Sequence, residues 1–274
     1  MELFTLLSHL VPSVGVITSN ALLLTTMPTI LLIRRSGRLG AYYPVPTVLG
    51  LLNCLAWLLF AIYTQNPYLF ASNIGGVGLS AFYLLTSYEA KDITRSTRDT
   101  MAIFLACGLV ALMTSSMVNS VILPQIVKGG PHALLEAQQT VAGFVAVAAQ
   151  FAFYSSPLLA FREALRAKNS IYFHRPLAYA LAVNSALWTA YGFLINMPFM
   201  YVPSTISLGI ALMQIICCSI WPATPFADEP HAPVLPGNAE GEVSTGAAVA
   251  RAPPHLRAPL DTTRRSRKCY SMIM

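Results

Sequence analysis

Two pairs of residues stand out against an apolar background: Asn53 with Trp57, and Asn184 with Trp188. Within each pair the amide and the indole are four positions apart, which puts both on one face of a helix. An amide offers donors and acceptors together and suits hydroxyl groups, and an indole adds a flat apolar face beside it. Taken singly, each has a plainer explanation, since asparagine joins helices within a membrane and tryptophan marks the membrane interface. Titratable groups are missing from this setting. No Asp, Glu, Lys or Arg lies in the middle of any apolar run, and histidines 9, 132, 174, 231 and 255 fall near run ends or beyond. A proton-coupled carrier needs an intramembrane group that binds the proton, so the pattern points to uncoupled movement of a neutral polar solute. Ion channels are disfavoured, and so are retinal proteins, because the seventh run has no lysine for a Schiff base. No nucleophile–base pair lies at membrane depth and no Cys/His spacing resembles a metal site, so no catalytic residue, metal or cofactor is expected.

The elements that must carry these residues are membrane helices. Only 10% of the 274 residues are charged and 55% are hydrophobic, against about 25% charged in soluble domains. The net charge of +6 does not signal nucleic acid, because the cations sit between long uncharged runs. Seven such runs span residues 11–33, 45–63, 68–88, 101–123, 141–161, 177–195 and 199–221, each near the ~20 residues that cross a bilayer core. The first lacks the basic flank and small-residue cleavage site of a signal peptide. Sixteen of the 17 basic residues fall on one side of these spans, Lys128 being the exception. The positive-inside rule then expects an extracytoplasmic N-terminus and a cytoplasmic C-terminus. From about Pro222 the composition turns to Pro, Ala, Gly and charge, and a disordered tail is expected over 223–274. Its basic end, Arg264 to Lys268, could sit against anionic lipid, although a solvated trafficking tail is the plainer and favoured explanation, and Cys269 is a candidate for palmitoylation.

Shifting the chain by 131 positions lays the second and third runs on the sixth and seventh. Asn53 meets Asn184, Trp57 meets Trp188, Phe60 meets Tyr191, Pro67 meets Pro198 and Gly78 meets Gly209. Pro46 pairs with Pro176 at a shift of 130, and Pro28 of the first run pairs with Pro157 of the fifth at 129. Matched Asn, Trp and Pro do not align by chance as apolar residues do. The single run left between the two units makes both point the same way across the membrane. The expected fold is an all-α membrane protein in which two parallel triple-helix bundles are joined by a linker helix. Its units are 1–98, with helices 1–3; 99–136, the linker helix 4 and its loop; and 137–222, with helices 5–7.

The stretch from Pro46 through Asn53 and Cys54 to Trp57, followed by Ser72-Asn73-Ile74-Gly75 and Tyr83, resembles the first unit of the SWEET (MtN3/saliva) sugar transporters, whose parallel repeat is itself a recognised transporter plan. Ser156-Pro157-Leu158, then Asn184 to Trp188, Tyr191-Gly192, Pro198-Phe199 and Val202-Pro203-Ser204, resembles the second. The resemblance covers nearly all of residues 10–222 and implies a bidirectional facilitative sugar uniporter working by alternating access. It implies substrate contacts at Asn73, Trp57, Trp188, Asn53 and Asn184. In the second unit the usual asparagine after the proline is replaced by Ser204. Pro28, Pro46, Pro157 and Pro176 match the hinge prolines of the family. Pro28 and Pro157 lie within helices 1 and 5, where each deprives a carbonyl, of Leu24 and of Phe153, of its partner. Leu24, Phe153, Asn53 and Asn184 also match the positions that set pocket width in the family, where smaller groups accompany disaccharides. Four large side chains here imply a monosaccharide such as glucose. At the outer mouth the family's Tyr-Gly is Phe60-Ala61 in helix 2 but is kept as Tyr191-Gly192 in helix 6. Met197 stands where an acidic residue is usual, so a gate locked by that charge is not available.

Other classes fit less well. A PQ-loop carrier of another small neutral solute should show Pro-Gln in helices 1 and 5, but the chain has it only at Pro124-Gln125. A seven-helix receptor does not explain the three-plus-one-plus-three repeat, and an enzyme lacks its constellation. The expected partners are a sugar, membrane lipid and further copies of the chain, with no nucleic acid. A plasma-membrane location is favoured over an internal one.

Overall fold

The computed structural model describes residues 2–40, 42–170, 173 and 175–222. The tail expected over 223–274, with Cys269 and the Arg264–Lys268 run, lies outside the described residues. Seven helices are long and apolar enough to cross a membrane: α1 Glu2–Ser36, α2 Val45–Thr64, α3 Pro67–Tyr88, α4 Arg95–Ile126, α5 Gly130–Ala167, α6 Arg175–Leu194 and α7 Pro198–Ile220. The chain is a multi-pass integral membrane protein. Several helices overrun the apolar stretches, because helical bonding continues past the bilayer wherever a cap or a neighbour supports it. At the start of α4, Thr94 Oγ1 accepts from the Thr97 N–H at 3.1 Å. At the start of α3, Asn66 Oδ1 accepts from the N–H groups of Tyr68 and Leu69, both at 3.1 Å, with Pro67 at the position where a missing N–H costs nothing.

In the first unit α1 packs on α3 and α3 on α2; in the second α5 packs on α7 and α7 on α6. The units meet where α2 packs on α5 and α1 on α6, closing a ring of six helices. The linker α4 stands outside it, mainly on α2. Close approaches between helices rest on glycine, since small residues let membrane helices touch. A Cβ on Gly76 of α3 would lie 2.6 Å from Cys54 Sγ, and one on Gly143 of α5 would lie 2.6 Å from the Phe199 ring on α7. Near its end α4 contains a π-helical turn, Val118–Ile122, ahead of Pro124, which has no N–H to give. The Asn119 carbonyl there accepts from Gln138 Nε2 of α5 at 2.7 Å.

The two repeat-related prolines of α1 and α5 behave differently, and this corrects one expectation. Pro28 does not sit in a helix interior. The first segment of α1 stops at Leu24 and a second runs from Met27 to Ser36, so Pro28 falls in the first turn of the second. Thr25 turns its N–H back to the Leu22 carbonyl at 3.2 Å, and the Leu23 carbonyl accepts the Tyr83 hydroxyl of α3 at 2.9 Å. A break is tolerable in a membrane when neighbours satisfy the freed backbone groups. Pro157, by contrast, lies within the uninterrupted α5. Pro46 and Pro176 both fall in the first turns of α2 and α6, where proline removes no helical bond.

At the basic end, Asp92 ties the turn after α1 to the turn after α3. Its carboxylate accepts from the N–H groups of Leu39 at 2.6 Å and Gly40 at 3.0 Å. Desolvation pushes its pKa up, but those two N–H groups and the Arg38 charge outweigh it and hold the carboxyl below its usual range.

Overfilling a packed contact typically costs ~1–3 kcal/mol. Gly143→Val should therefore lower the thermal midpoint of the detergent-solubilised protein by several degrees. Gly78→Ala is the control, because a Cβ there meets nothing within 4 Å, and it should leave the midpoint unchanged or raise it slightly. Equal midpoints for the two variants would contradict the α5–α7 contact.

Candidate functional site

At ~1.5 Å of rise per residue, Trp57, Asn73, Trp188 and Ser204 all lie about 9–10 Å from the helix ends at the α2–α3 and α6–α7 turns. Asn53 and Asn184 lie about one turn deeper than the indoles, about 15–17 Å in, the middle of a bilayer core of ~30 Å. The expected site residues thus share a narrow band of depth on four helices, with α1 and α5 completing the ring around them.

The indoles bridge the two units. Trp188 on α6 donates its Nε1–H to Ser19 Oγ on α1 at 2.9 Å, and Trp57 on α2 donates to Gln150 Oε1 on α5 at 2.8 Å. The Trp188 ring lies flat enough on α1 that a Cβ on Gly15 would approach it to 3.2 Å. Both rings are buried, in one cluster with Phe60, Tyr191, Leu69, Ala142, Ala146 and Met200.

The amides differ. Asn184 Oδ1 accepts from Thr18 Oγ1 at 2.7 Å and from Ser19 Oγ at 2.9 Å. Asn53 Oδ1 is buried without a partner. Asn73 spends its Nδ2 on its own helix, to the Leu69 carbonyl at 2.8 Å and Ser72 Oγ at 3.0 Å. Ser204 is half-buried on α7, beside Pro203, whose carbonyl accepts the Tyr154 hydroxyl at 2.8 Å. Phe153 leans across the unit boundary, its ring 3.5 Å from where a Gly50 Cβ would sit. Leu24, at the break in α1, is 50% exposed and joins no core cluster.

Toward the α2–α3 and α6–α7 turns the units are latched. Asn66 Nδ2 donates to the Tyr191 hydroxyl at 3.0 Å, with both side chains buried. Tyr191 meets Tyr68 edge-on at 5.9 Å, and Tyr68 in turn bonds His9 Nδ1 at 2.6 Å. Phe60 meets Phe199 edge-on at 6.1 Å. The register places Met197 and Phe60 opposite Asn66 and Tyr191 respectively, so one half of this closure is polar and the other apolar. At the basic end, among the described residues, each buried cluster stays within one unit or between it and the linker. Among the described residues, the side-chain hydrogen bonds and ring contacts that latch the units gather toward the α2–α3 and α6–α7 turns.

Thr18, Ser19, Gln150 and Asn66 escaped the sequence reading. Thr18-Ser19-Asn20 is a polar run inside an otherwise apolar span, and Asn66-Pro67 is a helix-start signature; both could have flagged them. Gln150 carries no comparable signal.

The family model described as "Sugar efflux transporter for intercellular exchange" matches residues 9–89 and 140–224, the two repeat units. The bidirectional sugar transporter SWEET7b of Oryza sativa subsp. japonica is 27% identical over 219 residues, covering 79% of this chain and 78% of that one. The sugar transporter SWEET1 of Dictyostelium discoideum is 22% identical over 203 residues, covering 73% and 87%. A solved eukaryotic SWEET transporter superposes with a TM-score of 0.67 at 20% identity, covering 79% of this chain and 97% of that one, which establishes the common fold.

Phenylalanine in place of Tyr191 keeps the ring packing and removes the bond to Asn66. A hydrogen bond is worth ~0.5–1.5 kcal/mol net, or roughly two- to tenfold in the population of the opened mouth. A single cysteine placed at Ala146, buried behind this closure, should be labelled that much faster by an impermeant thiol reagent from the latched side in Tyr191→Phe. An unchanged rate would mean the bond holds nothing shut.

Proposed function

The chain belongs to the SWEET (MtN3/saliva) family, whose members are carriers and not enzymes, and from that premise we propose that it is a bidirectional facilitative sugar uniporter, carrying a monosaccharide such as glucose by alternating access. The observation that carries this reading is the site's position. The amide–indole pairs of both units lie at similar depth on α2 and α6, with both indoles in one buried cluster, in a ring whose two units are tied by Asn66 and Tyr191 toward one mouth. A solute held there is released when the two units rock about their shared layer. With the basic end in the cytoplasm, the latched mouth faces outward. The plasma membrane is the location this orientation favours.

Hydroxyl groups of the sugar meet Asn73, Asn53, Asn184 and Ser204, while its C–H face lies on Trp57 or Trp188. The serine at 204 is shorter than an amide and offers a single donor, so the second unit grips more weakly at that depth. The break in α1 before Pro28 and the continuous α5 with Pro157 give the two units unequal flexibility. Rocking in which α1 bends and α5 moves as a rod fits that difference.

In proteoliposomes made with the full chain, glucose should equilibrate in both directions without accumulating, and a protonophore should change nothing. Asn73→Ala and Trp188→Ala should lose transport while still inserting. Uphill accumulation abolished by the protonophore would defeat the uniport proposal, and wild-type flux in either variant would defeat the pocket assignment.

Sucrose should be carried far less well than glucose. Overfilling the pocket by a second ring costs ~1–3 kcal/mol, about one to two decades of discrimination. Direct competition measures it: equal uptake of the two sugars refutes the size argument. The combined variant Leu24→Val, Asn53→Ser, Phe153→Val, Asn184→Ser should gain sucrose flux.

A further inference from the structure

We propose that Thr18 and Ser19 of α1 decide which way round a sugar lies in the site, by holding the Asn184 amide as a fixed hydrogen-bond donor while Asn53 is left free to turn. This rests on the sugar-carrier reading and adds to it two positioning residues.

The Asn184 carbonyl accepts from Ser19 Oγ at 2.9 Å and from Thr18 Oγ1 at 2.7 Å, the threonine sharing its one hydrogen between this shorter contact and the Gly15 carbonyl at 3.0 Å. Ser19 Oγ also accepts the Trp188 indole N–H at 2.9 Å, so its one hydrogen is committed to Asn184. Three hydrogen bonds with adjacent residues of α1, two donated by them and one accepted, therefore hold an amide and an indole that lie four apart on α6. Among the described residues Asn184 Nδ2 makes no hydrogen bond, and its N–H groups are what this wall has left to offer a ligand. A sugar oxygen placed against them must accept.

The repeat-related wall has no such clamp. In the register that sets the Trp57–Gln150 bond against the Trp188–Ser19 bond, Thr18 and Ser19 correspond to Ala149 and Gln150 of α5; Gln150 Oε1 accepts the Trp57 indole N–H at 2.8 Å, but Ala149 carries no hydroxyl and neither residue bonds Asn53. Asn53 Oδ1 is accordingly buried with no partner. A buried carbonyl without a donor is costly, and the terminal torsion of an asparagine is soft. Asn53 therefore gains by turning its carbonyl toward any donor that enters. Two walls related by a pseudo-twofold axis would accept a sugar in either of two orientations. A fixed donor on one and an unfilled acceptor on the other remove one of them: a sugar oxygen accepts from Asn184, and a sugar O–H donates to Asn53.

The test compares the full-length wild type, Thr18→Val/Ser19→Ala, Thr18→Ser, and Ala149→Thr/Gln150→Ser in proteoliposomes. Glucose uptake is competed with single-position deoxy- and deoxyfluoro-glucoses. A fluorine retains a weak acceptor but cannot donate; a bare CH₂ does neither. In the wild type one ring position should tolerate fluorine better than CH₂, marking the Asn184 contact, and another should reject both, marking the donor to Asn53. Thr18→Val/Ser19→Ala should erase the fluorine–CH₂ difference and raise the glucose KM roughly three- to tenfold with Vmax within about twofold. Thr18→Ser, which keeps the hydroxyl, should retain the wild-type ranking. Ala149→Thr/Gln150→Ser transplants the Thr18–Ser19 pair to the matching positions and offers Asn53 the donors it lacks. It should raise the thermal midpoint and relax the need for a donor at the second position. If the Thr18/Ser19 variant fails to fold, this last variant carries the test alone. An unchanged ranking in either double variant, or a loss confined to Vmax, overturns the proposal and leaves the hydroxyls a structural role. A wild type that carries no sugar overturns the carrier reading instead, and this inference with it.

Discussion

Lipid tails are as apolar as leucine, so burying leucine between membrane helices gains little over leaving it in the bilayer. The two triple-helix units must therefore be held by close packing and by polar ties whose alternative is an unsatisfied group in hydrocarbon. Nearly everything distinctive here follows from that constraint. Glycines at 15, 76 and 143 bring partner side chains against helix backbones. Indole, amide and hydroxyl groups that would be unremarkable in water become the joints between units. A transporter cannot simply multiply such joints, because it has to part them in each cycle. The polar ties sit in one half of the bundle, and the described residues leave the other half to clusters that each stay on one side of the unit boundary.

The repeat is close in sequence and uneven in its bonding. Where the second unit joins α6 to α7 by a Ser185–Ser207 hydrogen bond of 2.9 Å, the matching residues of the first are Cys54 and Gly76, which meet by packing alone. Asn66 and Tyr191 latch one half of the closed mouth, whereas their register partners Met197 and Phe60 offer only apolar contact. α1 breaks at its proline and α5 does not. Each difference substitutes a polar tie for packing, or the reverse, at a conserved place in the architecture. A shared backbone plan fixes where the units touch, and single side chains decide how firmly.

That unevenness bears on motion as well as on recognition. The break at Leu24–Met27 survives because Tyr83 supplies the donor that the Leu23 carbonyl lacks, so α1 bends where α3 supports it. Its repeat partner α5 runs unbroken through Pro157, and the position matching Tyr83 is Gln214 of α7. Below the break, Asp92 pins the α1–α2 connection to the end of α3 through two backbone N–H groups. The first unit's basic end thereby moves as one piece.

Local and one-dimensional features were legible in the chain itself. Seven spans follow from runs of about 20 apolar residues, the parallel repeat from Asn, Trp and Pro falling in register, and the depth of the site from counting along each helix. The existence of amide–indole pairs on α2 and α6 followed from their spacing of four. What the sequence could not decide was which groups those side chains would bond. Ser19 reaches Trp188 across 169 positions, and Asn66 reaches Tyr191 across 125. Equivalent asparagines ended up opposite, one with its carbonyl filled and one with its carbonyl bare. Nor could it tell that one of two matched prolines would end a helix segment while the other sat in an unbroken one. These outcomes depend on which helices become neighbours and whether a side chain on one spans the gap to a free group on the next. Hydropathy and periodicity describe each helix by itself; the pairing of polar groups between helices exists only once the ring has closed.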